Sequence, residues 1–135
     1  MAGKFIPNPA GIAQLLQSPT GDIGIFFALL TEEVESLAES YCPEDTGDLS
    51  TSISGSVITP PLRGEVKAGG DSAPYVMSVH EGTQPHEITP KTAQYLQFPN
   101  QAGEMVYAKR VFHPGTKANP FLWEALRDVI MTYAR

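Results

Sequence analysis

The stretch Asp22-Ile23-Gly24-Ile25-Phe26-Phe27-Ala28-Leu29-Leu30-Thr31-Glu32-Glu33-Val34-Glu35-Ser36-Leu37-Ala38-Glu39-Ser40-Tyr41 decides the fold. Ile23, Phe26, Phe27, Leu30, Val34, Leu37, Ala38 and Tyr41 recur every three or four positions, the period of one helix face. Glu32, Glu33, Glu35, Ser36 and Glu39 fall mostly on the other side. The spacing predicts an amphipathic helix of about five turns over 22–41. Pro43 ends it, because the residue before a proline is driven out of the helical region. Upstream, Pro9 suits a first helical turn and Ile12, Leu15 and Leu16 share a face, so 9–17 reads as a short helix. Ser18-Pro19-Thr20-Gly21 separates the two, and residues 1–20 form an N-terminal arm carrying the short helix.

Downstream the texture changes to short alternating runs divided by Gly and Pro. Ser52 to Ile58 and Gly64 to Ala68 read as strands on either side of a Pro60-Pro61 loop. Gly69-Gly70-Asp71-Ser72 is a second loop, and Ala73 to Val79 fits a helical turn or two. Further strands are expected at Glu87 to Thr89, Tyr95 to Phe98 and Met105 to Phe112, with Asn100-Gln101-Ala102-Gly103 as a hairpin turn. Asn119-Pro120 opens a final helix over 119–134, with Phe121, Leu122, Ala125, Leu126, Val129, Ile130 and Tyr133 on its apolar face. The fold class is α+β: a single domain over 1–135 in which a small twisted antiparallel sheet (52–112) is packed by the long and the C-terminal helices.

The 135 residues, 41% hydrophobic and 18% charged, suffice for one core and not two. A net charge of −6 argues against wrapping nucleic acid, which needs clustered Lys and Arg; Lys109-Arg110, with Lys117 nearby, reads as a solvated strand edge, with a local DNA-facing patch as the alternative. Cys42 is the sole cysteine, so an intrachain disulfide is excluded, and its place before Pro43 suits a half-buried small residue. The start has no hydrophobic stretch long enough for a signal peptide, and Ile23 to Leu30 is too short to span a bilayer. These features predict a soluble protein of a reducing compartment.

Candidate chemistry is sparse. His80, His86 and His113, with Glu81, make a zinc site conceivable, but His80 and His86 lie six apart and match no compact metal motif. The plainer reading is that the imidazoles hydrogen-bond turn backbones or sit at a subunit contact. Asp45, Thr46 and Asp48 place two carboxylates and a hydroxyl in one tight turn. Capping by Asp45 or Thr46, with Gly47 supplying a backbone conformation other residues avoid, explains them without catalysis. Phosphate loops, nucleophile elbows and His-Glu-x-x-His helices are missing from the sequence, so no catalytic residue, metal ligand or cofactor is expected. His80-Glu81-Gly82-Thr83 and His113-Pro114-Gly115-Thr116 share the form His-x-Gly-Thr and read as two similar turns. Phe121, Trp123 and Tyr133 crowd the last helix and serve either to seal the sheet or to meet a partner.

In order, these motifs resemble the head-to-tail connector, or neck and tail-completion, family of long-tailed bacteriophages, over about Pro9 to Leu126. The likeness rests on a Pro-x-Asp-Thr-Gly-x-Leu turn after the first helix (Pro43, Asp45, Thr46, Gly47, Leu49) and a Ser52-Ile53 pair opening a strand. It continues with Tyr75, Gly82 and Thr83 of a Tyr-x-x-x-x-Glu-x-Gly-Thr segment and ends with Asn119-Pro120-Phe121-Leu122 before the last helix. His80 stands where that family often has Glu, with Glu81 one place on. The resemblance implies a structural virion protein, not an enzyme, made in the bacterial host cytoplasm. Its copies would form a ring at the neck, meeting portal or adaptor proteins on one side and the tail terminator or tail tube on the other. Packaged DNA would pass through without sequence recognition, and no membrane would be involved. Closed rings need heterologous contacts, for which the expected elements are Thr59 to Gly64 with Arg63, Gly69 to Ala73 with Asp71, and Gly82 to Pro90 with Gly82, Thr83, His86 and Glu87, plus neighbouring Lys91. Asp45, Thr46, Gly47, Tyr75, Gly115, Asn119, Pro120 and Phe121 are expected to be structural. A tail terminator at the same joint is the nearer alternative; a small metal-dependent hydrolase using the three histidines is the remote one.

Overall fold

A computed structural model describes residues 3–44 and 47–134. Helices α1 (Pro9–Gln17) and α2 (Asp22–Tyr41) have the bounds the sequence predicts. Asn8 caps α1 by accepting from the Gly11 amide at 3.1 Å, and Pro9 sits where its missing N–H is not needed. α2 stops at Cys42, extended and buried ahead of Pro43; burial pushes the Cys42 thiol up from its ordinary value. A one-turn helix α3 (Asp48–Thr51) follows, which the sequence reading did not anticipate. Gly47, at φ +82°, starts it, and the Ser50 and Thr51 hydroxyls each donate back to the Gly47 carbonyl at 3.0 Å. The capping expected of Asp45 and Thr46 lies outside the described residues.

The remaining elements are β1 (Ser54–Ile58), β2 (Arg63–Lys67), α4 (Val76–His80), β3 (His86–Ile88), β4 (Leu96–Pro99), β5 (Met105–Ala108), β6 (Val111–His113) and α5 (Phe121–Tyr133). The chain is α+β, with small antiparallel sheets, a long helix near the N-terminus and another at the C-terminus. The strands pair as three separate two-stranded ladders, β1–β2, β3–β6 and β4–β5, and not within a single sheet. The run expected as one strand from Met105 to Phe112 is two. It breaks at Lys109-Arg110, where the chain leaves β4 as partner and takes up β3.

Contacts divide the chain into two compact units, 1–76 with 120–135, and 77–119. In the first, α2 packs on the β1–β2 hairpin and on α5. Val34, Ala38, Leu49, Ile53, Phe121, Ala125 and Val129 are buried there, with Phe121 fully enclosed. Thr31, buried in mid-α2, donates to the Phe27 carbonyl at 2.6 Å. Its side chain lies so close to β2 that a Cβ at Gly64 would run into its Oγ1. Glycine there lets helix and hairpin meet. α5 runs antiparallel to α2 and is fixed by reciprocal bonds: Tyr41 of α2 donates to Asp128 at 3.0 Å, and Tyr133 of α5 donates to Glu33 at 2.9 Å. Phe26 meets the Tyr133 ring edge to face at 6.0 Å.

In the second unit, His80 alone is buried. A segment of 43 residues is too small to close a hydrophobic core by itself. Its order comes from the β3–β6 and β4–β5 ladders and from paired turns.

Candidate functional site

The two His-x-Gly-Thr turns of the sequence lie against each other. Thr83 and Thr116 form an antiparallel bridge: the Thr83 amide donates to the Thr116 carbonyl at 3.0 Å and the Thr116 amide to the Thr83 carbonyl at 3.1 Å. Their hydroxyls are 3.0 Å apart, and Thr83 Oγ1 also accepts from the Thr116 amide. Gly82 and Gly115 have φ +73° and +86°. A Cβ on Gly82 would come within 2.6 Å of the Thr116 carbonyl, and one on Gly115 would strike the Thr83 carbonyl. Each glycine thus opens room for the other turn, as well as adopting a conformation that L side chains rarely take.

Three residues along each segment, His86 opposes His113, and their rings stack at 5.1 Å. His86 Nδ1 lies 2.9 Å from the Gln84 carbonyl, which only accepts, so this nitrogen carries the proton. His113 Nδ1 accepts from the Gly115 amide at 3.1 Å and is therefore unprotonated. Both imidazoles bond turn backbones, the plainer of the two sequence readings. His80 Nδ1 pairs instead with Glu81 at 3.0 Å. Among the described residues no three His, Cys, Asp or Glu side chains converge on a point that could hold a metal ion. The trio proposed as a ligand set is therefore not assembled.

Other expected contact residues are dispersed. Glu87 pairs with Arg110 at 3.5 Å across the β3–β6 edge, beside exposed Phe112; Lys91 is exposed in the following loop. In the first unit, Arg63 (3.6 Å) and Lys67 (2.5 Å) both reach Glu65. The hydrogen bond from Lys67, with Arg63 assisting, holds the Glu65 carboxyl below its usual range. Asp71 and Tyr75 are exposed. Asn119 donates its amide to the Val79 carbonyl at 2.9 Å, Pro120 caps α5, and Phe121 begins it.

The sequence reading missed an outward apolar stripe on α2, and it placed Ile130 and Tyr133 of α5 on the packed face although both are exposed. On α2, Ile25 and Leu29 stand on the side opposite buried Thr31, Val34 and Ala38, and Leu29 is 59% exposed. An open groove there is lined by Leu29, Glu32, Glu33, Ser36 and Leu37. On α5, Trp123 (67% exposed) and Ile130 face away from buried Phe121, Ala125 and Val129, with Leu126 at the border between the two faces. The signal was present in the sequence, since both helices carry large apolar residues on more than one face. Of the aromatics crowding the last helix, Phe121 seals the core and Trp123 does not.

No protein-family model, curated protein or solved structure matches the chain. Among the described residues no helix is long and apolar enough to cross a membrane.

Proposed function

We propose that this chain is a structural virion protein of a long-tailed bacteriophage, one subunit of a ring in the neck that joins head to tail around a DNA channel. The subunit character is carried by one observation, the surface that the chain leaves uncovered. It exposes 10281 Å². Two separate compact bodies of about 10 and 4.6 kDa would together expose only about 8,200 Å². Part of that surplus lies on the N-terminal arm and helix α1, where residues 3–17 are all exposed, and part on outward apolar side chains of α2 and α5. Outward apolar side chains such as Leu29, Trp123 and Ile130 are of the kind that subunits present to a partner.

The place in the virion rests on the ordered motifs that resemble the connector family. Within that reading the function is mechanical and electrostatic: copies seal the joint, and net negative charge lets DNA phosphates slide instead of sticking. Ring neighbours would be portal or adaptor proteins on the head side and the tail terminator or tube on the other. Immunogold labelling of purified virions with an antibody to this chain tests the assignment. Label at the head–tail joint is expected; label confined elsewhere, or none, overturns it.

A further inference from the structure

The charge of the chain is divided unevenly between its two units. Residues 1–76 and 120–135 carry twelve acidic against five basic side chains, whereas 77–119 carry three acidic against four basic. The strongly acidic unit displays the outward stripe of α2, in which Ile25, Leu29, Glu32 and Ser36 follow one another at helical spacing. The weakly basic unit displays the outward face of the β4–β5 hairpin. There Met105 and Tyr107 point away from the half-buried Val106 and Ala108, and Tyr107 is 63% exposed. Lys109 follows two residues on, 6.0 Å from the Tyr95 ring. One surface is therefore apolar with an acidic border; the other is apolar with Lys109 at the end away from the turn and Glu104 at the turn itself.

Resting on the ring reading above, we infer that these two surfaces are the two halves of the subunit contact: the hairpin face of one copy (Met105, Tyr107, Lys109) seats on the α2 stripe (Ile25, Leu29, Glu32) of the next. Every copy carries both halves, so the contact is head to tail, the kind that closes a ring. The apolar residues supply the buried centre, and the opposite charges at the border steer and register the approach.

Chains with one added cysteine test this directly, because the native Cys42 is buried. Leu29→Cys and Tyr107→Cys proteins, mixed in equal amounts with a short bismaleimide, are expected to give a heterodimer linked between positions 29 and 107. Each protein alone is expected to give at least about ten-fold less homodimer. Lys109→Glu is expected to reduce the heterodimer about ten-fold, the order of one close interfacial charge pair, and Glu32→Lys on the other chain to restore it. Homodimers as abundant as heterodimers would overturn the inference. So would a chain carrying both cysteine substitutions that links only within itself at every concentration, since the hairpin would then cover its own α2. If the chain labels the neck but no 29–107 link forms, the surface assignment fails and the neck reading stands; a 29–107 link in a protein absent from virions has the reverse meaning.

Discussion

Thr83 and Thr116, 33 residues apart, exchange both backbone hydrogen bonds and bring their hydroxyls to 3.0 Å. This bridge joins the two ends of the 77–119 unit, which has almost no buried core of its own. A four-residue pattern that occurs twice in the sequence is thus a single structural device, each copy the partner of the other.

Gly115→Ala should therefore destabilise this unit well beyond the cost of its backbone conformation. Gly103 supplies the control: it has a similar φ of +80°, but a Cβ there meets nothing within 4 Å. Gly103→Ala is expected to cost about 1–2 kcal/mol, from φ alone. Gly115→Ala should cost about 1–3 kcal/mol more, because the methyl displaces the Thr83 turn. Hydrogen exchange at the Thr83 and Thr116 amides measures the difference; equal protection in the two variants would contradict the pairing.

Gly64→Ala should separate α2 from the β1–β2 hairpin at a cost of about 1–3 kcal/mol, the range for overpacking. Thr31→Ala in the same chain should return part of that loss, because Thr31 is the residue the new methyl meets. Urea unfolding of the four proteins of the double-mutant cycle tests this, and strictly additive costs would show that the two positions do not interact.

The Tyr41–Asp128 bond between α2 and α5 gives a signed pH dependence. The Tyr41 hydroxyl, followed by Arg127, holds the Asp128 carboxyl below its ordinary 3.8. A depressed carboxylate contributes stability that is present above the unfolded value and is lost as pH falls through the folded one. The same hydrogen bond to Asp128 raises Tyr41 above its ordinary 10.0, so that contribution is present below 10 and fades as pH rises through the folded value. Tyr41→Phe should be less stable than the native chain at pH 7, with the gap closing below about pH 4. A gap that persists unchanged into acid would place the effect in packing instead of the bond.

Trp123→Ala should leave the stability of the free chain within about 0.5 kcal/mol, because the indole lies largely in solvent. Self-association should weaken as salt is raised from low to physiological ionic strength, since charged borders are screened within about 8–10 Å. Sedimentation across a salt series reads this. Association that strengthens steadily with salt would identify a purely apolar contact.

Much of the fold was legible because local signals set it. The period of Ile23 to Tyr41 and the stop at Pro43 define α2, and the Asn100 side chain accepts from the Ala102 and Glu104 amides to make the β4–β5 turn that the composition predicts. What was not legible depends on distant partners. No feature of Met105 to Phe112 says that its first half pairs with β4 and its second with β3. Helix α3 is a single turn rich in Ser and Thr, residues that weigh against helix when read in isolation. The His-x-Gly-Thr echo was visible, but only the fold shows that its two copies touch. Ile25 and Leu29 were hidden by the stronger apolar face behind them.

Cross-linking mass spectrometry on purified virions places the chain among its neighbours. A ring subunit of the neck is expected to give links between copies of this chain and from it to portal or adaptor proteins and to the tail terminator. Links running mainly to the tail tube would move the ring to the terminator position. A particle that lacks the chain altogether would rule out a place in the neck.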